Sequence, residues 1–242
     1  MSPSSSDCLR LHLGQHGYRL DGREHALHEN WASPVLSEEL ASLALPKGYR
    51  RLAVVLEHRF ARCQLISFPK AVRNSDERSA FMQAMFRDVQ GIDPQAWQIV
   101  CEAALPGEAV LAAAIENTTL AALQKLSQTH QLKLISVQPA FSARWNALHA
   151  QTGVADGAFV WLADGRATLG LWQGGSWLAL RSLTLAAGDG AALGTLLQLL
   201  LASSGYSSDA GVLYLAGESK GLQISLPAGW TCTRLDPQGV TG

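Results

Sequence analysis

The stretch FVWLADGRATLGLWQGGSWLALRSLTL, residues 159–185, decides the fold. Asp164-Gly165 and Gly174-Gly175 are dipeptides suited to two-residue turns with positive φ, and apolar runs flank each of them. The segment reads as a meander of three short strands over 159–163, 167–172 and 177–185. A helix over 191–203 follows it. Gly211 to Leu215 is then a buried strand, and 223–227 with 231–235 gives one or two more.

Upstream, Leu9, Leu11 and Leu13 alternate with Arg10 and His12 as in a half-buried strand, and Gly14 to Gly17 turns into Tyr18. Ser37-Glu38-Glu39 can start a helix through Leu40 and Leu43 that Pro46-Lys47-Gly48 stops. Residues 51–68 hold two β-rich runs around Glu57-His58-Arg59 and read as a second hairpin pairing with the first, which would make an antiparallel-rich sheet. From Ser75 to Val89 the residues Phe81, Met82, Met85 and Phe86 recur at helical spacing, with Asp76 and Glu77 in the first turn. Strands are expected over 98–103 and 108–115. Next come a helix capped by Asn117 or Thr118, a strand over 132–137 and a helix over 141–150. The order divides the chain into two lobes, 1–150 and 151–242, that look like distant duplicates of one plan.

Nineteen basic against twenty acidic residues leave a net charge of -1, so there is no basic field to gather nucleic acid. Cys8, Cys63, Cys101 and Cys232 form no CxxC pair, which points to reduced, buried thiols in a cytosolic compartment and away from zinc. The opening MSPSSSD does not read as a signal peptide, and the apolar run Leu193 to Ala202 falls far short of the ~20 residues of a spanning helix. A cytoplasmic protein that meets a membrane only through a partner is expected.

Several motifs have a plain structural explanation. Gly217-Glu218-Ser219-Lys220-Gly221 matches a nucleophile elbow, but the last histidine is His149, so the order Ser, acid, His fails. Gly188, Gly190 and Gly194 ahead of Glu218 have roughly the layout of a dinucleotide fingerprint, without its spacing or its serial βαβ units. His12 with His16, and His25 with His28, lack companion ligands and read as surface or turn histidines rather than a metal site. Of seven tryptophans, Trp161, Trp172 and Trp177 lie on the meander, where large rings fill a sheet face.

The whole plan resembles the actin-like (ribonuclease H-like) ATPase superfamily, and within it the PilM-type proteins of type IV pilus machines and the cytoplasmic part of GspL-type proteins of type II secretion. The resemblance is carried by Leu120 to Phe141, a leucine-rich helix, a short strand, Ser136-Val137-Gln138-Pro139 and another helix, and by Trp177 to Leu199, with Arg181 and Gly188-Asp189. It implies an α/β fold of mixed sheets in two lobes, reduced in size, with a trimmed insert. In such ATPases each lobe offers a hairpin turn whose N–H groups cradle phosphates while an aspartate handles Mg²⁺. The first turn, Asp-x-Gly and later Lys, corresponds to His12, Gly14 and Arg19. The second corresponds to Ala163, Asp164, Gly165 and Thr168, with the aspartate displaced by one residue and so expected to point away from the site. A paired glycine near the adenosine is reduced to Gly217 and Glu218.

What the resemblance implies with these losses is a non-enzymatic pseudo-ATPase scaffold with neither cofactor nor metal. It would bind the cytoplasmic tail of a bitopic inner-membrane protein in a groove of the first lobe, and a homo-oligomer is compatible with it. The alternatives are an active nucleotide-binding ATPase of the same superfamily and a dinucleotide-dependent α/β enzyme using the Gly188 region.

Overall fold

The computed structural model describes residues 7–14, 17–26, 40, 43–102, 108–153, 156–186 and 188–235, and arranges their strands in three sheets. The helix expected to start at Ser37 lies largely outside the described residues. In chain order the first part comprises β1 (Cys8–Leu13), β2 (Gly17–Leu20), β3 (Arg23–Ala26), β4 (Arg51–Leu56), β5 (Ala61–Ser67), α1 (Ser75–Gln90), β6 (Trp97–Cys101), β7 (Ala109–Glu116), α2 (Asn117–Thr129), β8 (Lys133–Pro139) and α3 (Ala140–Leu148). The second part comprises β9 (Gly157–Ala163), β10 (Arg166–Gln173), β11 (Ser176–Thr184), α4 (Gly190–Ser203), β12 (Gly211–Gly217) and β13 (Trp230–Arg234).

Two of the sheets repeat one topology. The first runs β3-β2-β1-β4-β8 and the second β11-β10-β9-β12-β13. In each, a three-stranded antiparallel meander is extended by two strands that lie parallel to its first strand. The turns of the second meander show why: Asp164, Gly165, Gly174 and Gly175 all have positive φ, the backbone that a two-residue hairpin needs to match strand twist. Residues 51–68 depart from the hairpin expectation. β4 is a central parallel strand between β1 and β8, whereas β5 joins the third sheet, β5-β7-β6. The residues between them turn a corner: Glu57 donates its N–H to Leu13 O, and Phe60 and Ala61 donate theirs to Glu57 O.

The third sheet, with α1 on it, is the insert between β4 and α2. Met82 and Phe86 of α1 pack on Ile66, Phe68 and Val110. Asn74 and Glu77 form a reciprocal capping box at the start of α1, and Gly91 closes it in the left-handed conformation. At α2 the expected caps do not act. Asn117 is already helical and its side chain donates to Gln95 O, tying the helix start to the insert.

Strand parity decides which residues meet. Leu9, Leu11 and Leu13 face a core closed by Leu123 and Leu126 of α2, which turns His12 to the opposite face, toward the second sheet. β9 is buried at every position. Ala158, Val160 and Leu162 pack against Leu193 and Leu197 of α4, while Phe159, Trp161 and Ala163 pack against Phe141 of α3. Trp145 of α3 lies 4.8 Å from Trp172 and 4.7 Å from Trp177, so the meander tryptophans build the core between the sheets.

The expected strand over 223–227 is not a strand. Its backbone lies against α4, where a Cβ on Gly190 would stand 1.6 Å from Gln223 O and one on Gly194 2.4 Å from Ser225 O. Asp189 caps the same helix by accepting from Ala192 N–H. These glycines therefore serve close backbone packing, and a carboxylate already sits at the helix start where a dinucleotide's pyrophosphate would lie. Replacing Gly190 with Ala is expected to destabilise the fold by about 1–3 kcal/mol through overpacking, read as a lowered midpoint in urea unfolding; an unchanged midpoint would contradict this close approach.

Candidate functional site

The ends of β1, β4, β9 and β12 converge where the two repeated sheets face each other. Glu57, at the β4–β5 corner, has a side chain only 2% exposed. Its Oε1 lies 2.6 Å from His12 Nε2, and Trp161 Nε1 donates to Oε2 at 3.0 Å and to Oε1 at 3.3 Å. Arg144 of α3 places Nη2 3.4 Å from His12 Nδ1 and its guanidinium 4.9 Å from the centre of the Trp161 ring. Arg144 can only donate, so Nδ1 is the acceptor and Nε2–H the donor to Glu57: the partners assign a neutral imidazole. A buried carboxylate thus joins one sheet to the other, with the charge on Arg144 one ring away. Burial pushes the Arg144 guanidinium pKa down, the nearby Glu57 carboxylate opposes that, and Arg19 adds to it.

The two meander turns oppose each other. A Cβ on Gly14 would meet Asp164 Oδ2 at 3.4 Å, so the Asp164 carboxylate reaches the first turn. This corrects the expectation that a one-residue shift aims it away. Strand alternation ends at Ala163, and Asp164, with φ of 53°, belongs to the turn. Ala163 itself is buried in the core between the sheets. Gly165 supplies the second left-handed position of the turn, and the Thr168 hydroxyl is 3.0 Å from His58 Nε2 and 2.7 Å from Ser182 Oγ.

Gly217 and Glu218 meet the same turn from β12. Gly217 has φ of +91°, and a Cβ there would stand 2.1 Å from Leu162 O, so only glycine lets Glu218 donate its N–H to that carbonyl. The Glu218 carboxylate faces the Asp164 backbone N–H, which favours its charged form. Partial burial and the Asp164 carboxylate outweigh that and raise its pKa, with Glu57 adding to the rise and Arg19 opposing it. His12, Gly14, Asp164 and Glu218 therefore lie around the opposed turns, with Arg19 near enough for its charge to act on Glu218. Ser219 lies in the following tight turn, with Leu222 N–H donating to its carbonyl. His16 and His28 lie outside the described residues.

Glu57 and Arg144 went unnoticed in the sequence. A signal was available: Arg144 is a lone charge in the apolar FSARWNAL, and Glu57 is the first charge after the apolar run of AVVLEHRF. Among the described residues no group of three or more His, Cys, Asp or Glu is placed to hold a metal, and no helix is long and apolar enough to cross a membrane. The thiols are not uniformly buried: Cys232 is exposed, while burial pushes Cys63 up to about 12.

No protein-family model matches the chain, and no curated protein matches it significantly by sequence. Solved structures do match. A chain of the PilM-PilN type IV pilus biogenesis complex is 17% identical with a TM-score of 0.63, over 96% of this chain and 89% of that one. A Bacteroides thetaiotaomicron protein with actin-like ATPase fold and unknown function is 11% identical with a TM-score of 0.55, over 87% of this chain and 81% of that one. The chain has the actin-like ATPase fold. The cytoplasmic domain of EpsL from Vibrio cholerae, an inner membrane component of the type II secretion system, is 10% identical with a TM-score of 0.51, over 94% of this chain and 90% of that one. The actin-like fold accounts for the repeated five-stranded sheets and puts the two opposed turns between them.

The Mg-nucleotide of this fold does not fit the residues present: the first turn's acid is His12, bound to Glu57, and the second turn's N–H faces Glu218. Removing the buried carboxylate with Glu57→Ala is expected to cost about 3–5 kcal/mol, because it strands Arg144 and the His12 and Trp161 donors. Trp161→Phe removes one donor and should cost about 1–3 kcal/mol. Denaturant unfolding of both variants checks the order, and equal losses would deny Glu57 its joining role. Since the Glu218 pKa lies above its ordinary 4.5, the fold loses stability as pH rises through that raised value. Glu218→Gln should therefore raise Tm at pH 7, with the gain vanishing as the pH drops below the ordinary carboxylate value.

Proposed function

We propose that this protein is a non-enzymatic cytoplasmic assembly component of a type IV pilus or type II secretion-like machine, and that it docks the cytoplasmic tail of an inner-membrane partner. The observation that carries the non-enzymatic part is the locked head of β1, where His12 stands in the place of the acid and is held between Glu57 and Arg144. Such a group cannot bind a hydrated Mg²⁺, because its donor nitrogen is used and its acceptor nitrogen faces a guanidinium. Glu218 adds a carboxylate of the chain's own at the Asp164 N–H, where a phosphate would approach the second turn. The machine and the partner are supported by the fold likeness to chains from a PilM-PilN pilus complex and from the cytoplasmic domain of EpsL. The tail of such a partner is expected as an extended segment or turn on the first sheet and its insert.

A second reading has one observation in its favour. Asp164 faces the first turn, so one carboxylate of an ATPase site is within the cleft. Thermal unfolding with ATP, with and without Mg²⁺, separates the two. The scaffold reading expects no Mg²⁺-dependent rise in Tm, whereas ATP at a hundred times its dissociation constant would add about 2.7 kcal/mol to an active site. For the partner, synthetic peptides of the cytoplasmic tails of bitopic membrane proteins encoded beside this gene should bind in calorimetry; a chain that binds none of them is no tail adaptor.

A further inference from the structure

A polar cavity of about 260 Å³ opens on the insert's side of the second turn, lined by His58, Arg59, Arg62, Asp164 and Arg166. Three elements converge there. His58 and Arg59 come from the β4–β5 corner, Arg62 from the start of β5, and Asp164 and Arg166 from the turn into β10. The cavity is distinct from the His12–Glu57 network and uses side-chain cations, whereas the cradle implied for the meander turns uses backbone N–H groups.

The charges do not balance. Three guanidiniums face one carboxylate, and among the described residues neither Arg62 nor Arg166 has an ion-pair partner. Arg62 is half-buried, donates to the carbonyl of His58 and lies 5.7 Å from the centre of the Trp97 ring, which holds its fork in place. Arg166 donates from Nη1 to Thr184 Oγ1 at 3.2 Å, and its Nε is buried without a hydrogen-bond partner. Burial and the field of Arg166 depress the Arg62 pKa, while the Glu116 carboxylate opposes them. Burial likewise pushes the His58 pKa down, with Arg166 and Arg62 adding to it and Glu57 and Asp164 opposing it. A partly desolvated Arg62 guanidinium without a carboxylate partner, beside Arg166 in one cavity, is costly alone, and a tetrahedral anion would satisfy both forks with paired hydrogen bonds.

We propose that this cavity binds a small phosphate-class oxyanion, gripped by Arg62 and Arg166, with Arg59 at the rim. The proposal does not rest on the function given above. The test is thermal unfolding and phosphorus NMR of the whole chain with inorganic phosphate, at constant ionic strength and in EDTA. EDTA keeps any Mg-nucleotide binding at the opposed turns out of the readout, so this inference and the scaffold reading fail separately. Saturable stabilisation by phosphate and broadening of its resonance are expected, with binding weakened about tenfold to a hundredfold in Arg62→Gln and Arg166→Gln. The exposed Arg59→Gln should weaken it less, and Arg166→Lys, which keeps the charge but loses the fork, serves if the glutamine variant does not fold. An AMP arm separates the sources: a stronger effect than phosphate at equal concentration marks a nucleotide phosphate, and an equal or weaker one marks the free ion. Stabilisation that sodium chloride reproduces, or that survives the loss of both arginines, overturns the site.

Discussion

The structure depends on β9 being buried on both faces. A strand with α4 on one side and α3 on the other cannot carry a polar residue along its length, and 157–163 carries none. That constraint fixes everything beside it. The pleat sends Val160 and Leu162 into the core of the second sheet, and Phe159 and Trp161 into the core shared with the first. One tryptophan nitrogen then has to find an acceptor in an apolar setting, and Glu57 provides it from the other sheet.

The polar contacts between the sheets follow from that need. A carboxylate as buried as Glu57 is tolerable only with its oxygens fully used, and Trp161 and His12 use them. Arg144 then lies within reach of the imidazole and over the indole, so the four side chains make one unit drawn from β1, the β4–β5 corner, α3 and β9. The unit lies where the actin-like fold brings its two turns together. The same residues that bind the sheets to each other therefore remove an ionisable acid from the first turn.

Much of the fold was legible because its signals are local. The Asp164-Gly165 and Gly174-Gly175 turns, the alternation of Leu9, Leu11 and Leu13, and the acids in the first turn of α1 each act within a few residues of themselves. The split of 51–68 was not legible. Its two runs pair with strands far along the chain, and no local feature distinguishes a corner from a hairpin when both need a short polar break. The glycines of α4 were visible as unusual, but their reason, the backbone of 223–225 lying on them, comes from a segment whose course sequence pattern assigns to a strand.

By itself the sequence determined the second meander, the first hairpin and the helices after them, because periodicity and turn chemistry are properties of neighbours. Only the tertiary structure decided what the residues around the opposed turns do there. Asp164 turns toward Gly14 because it sits in the turn instead of the strand, Glu218 meets the Asp164 N–H because Gly217 allows a close approach to Leu162, and Arg62 and Arg166 share a cavity because the insert folds back beside β11. Each of those outcomes is set by the distance between elements remote in sequence, and electrostatics and desolvation are read from such distances alone.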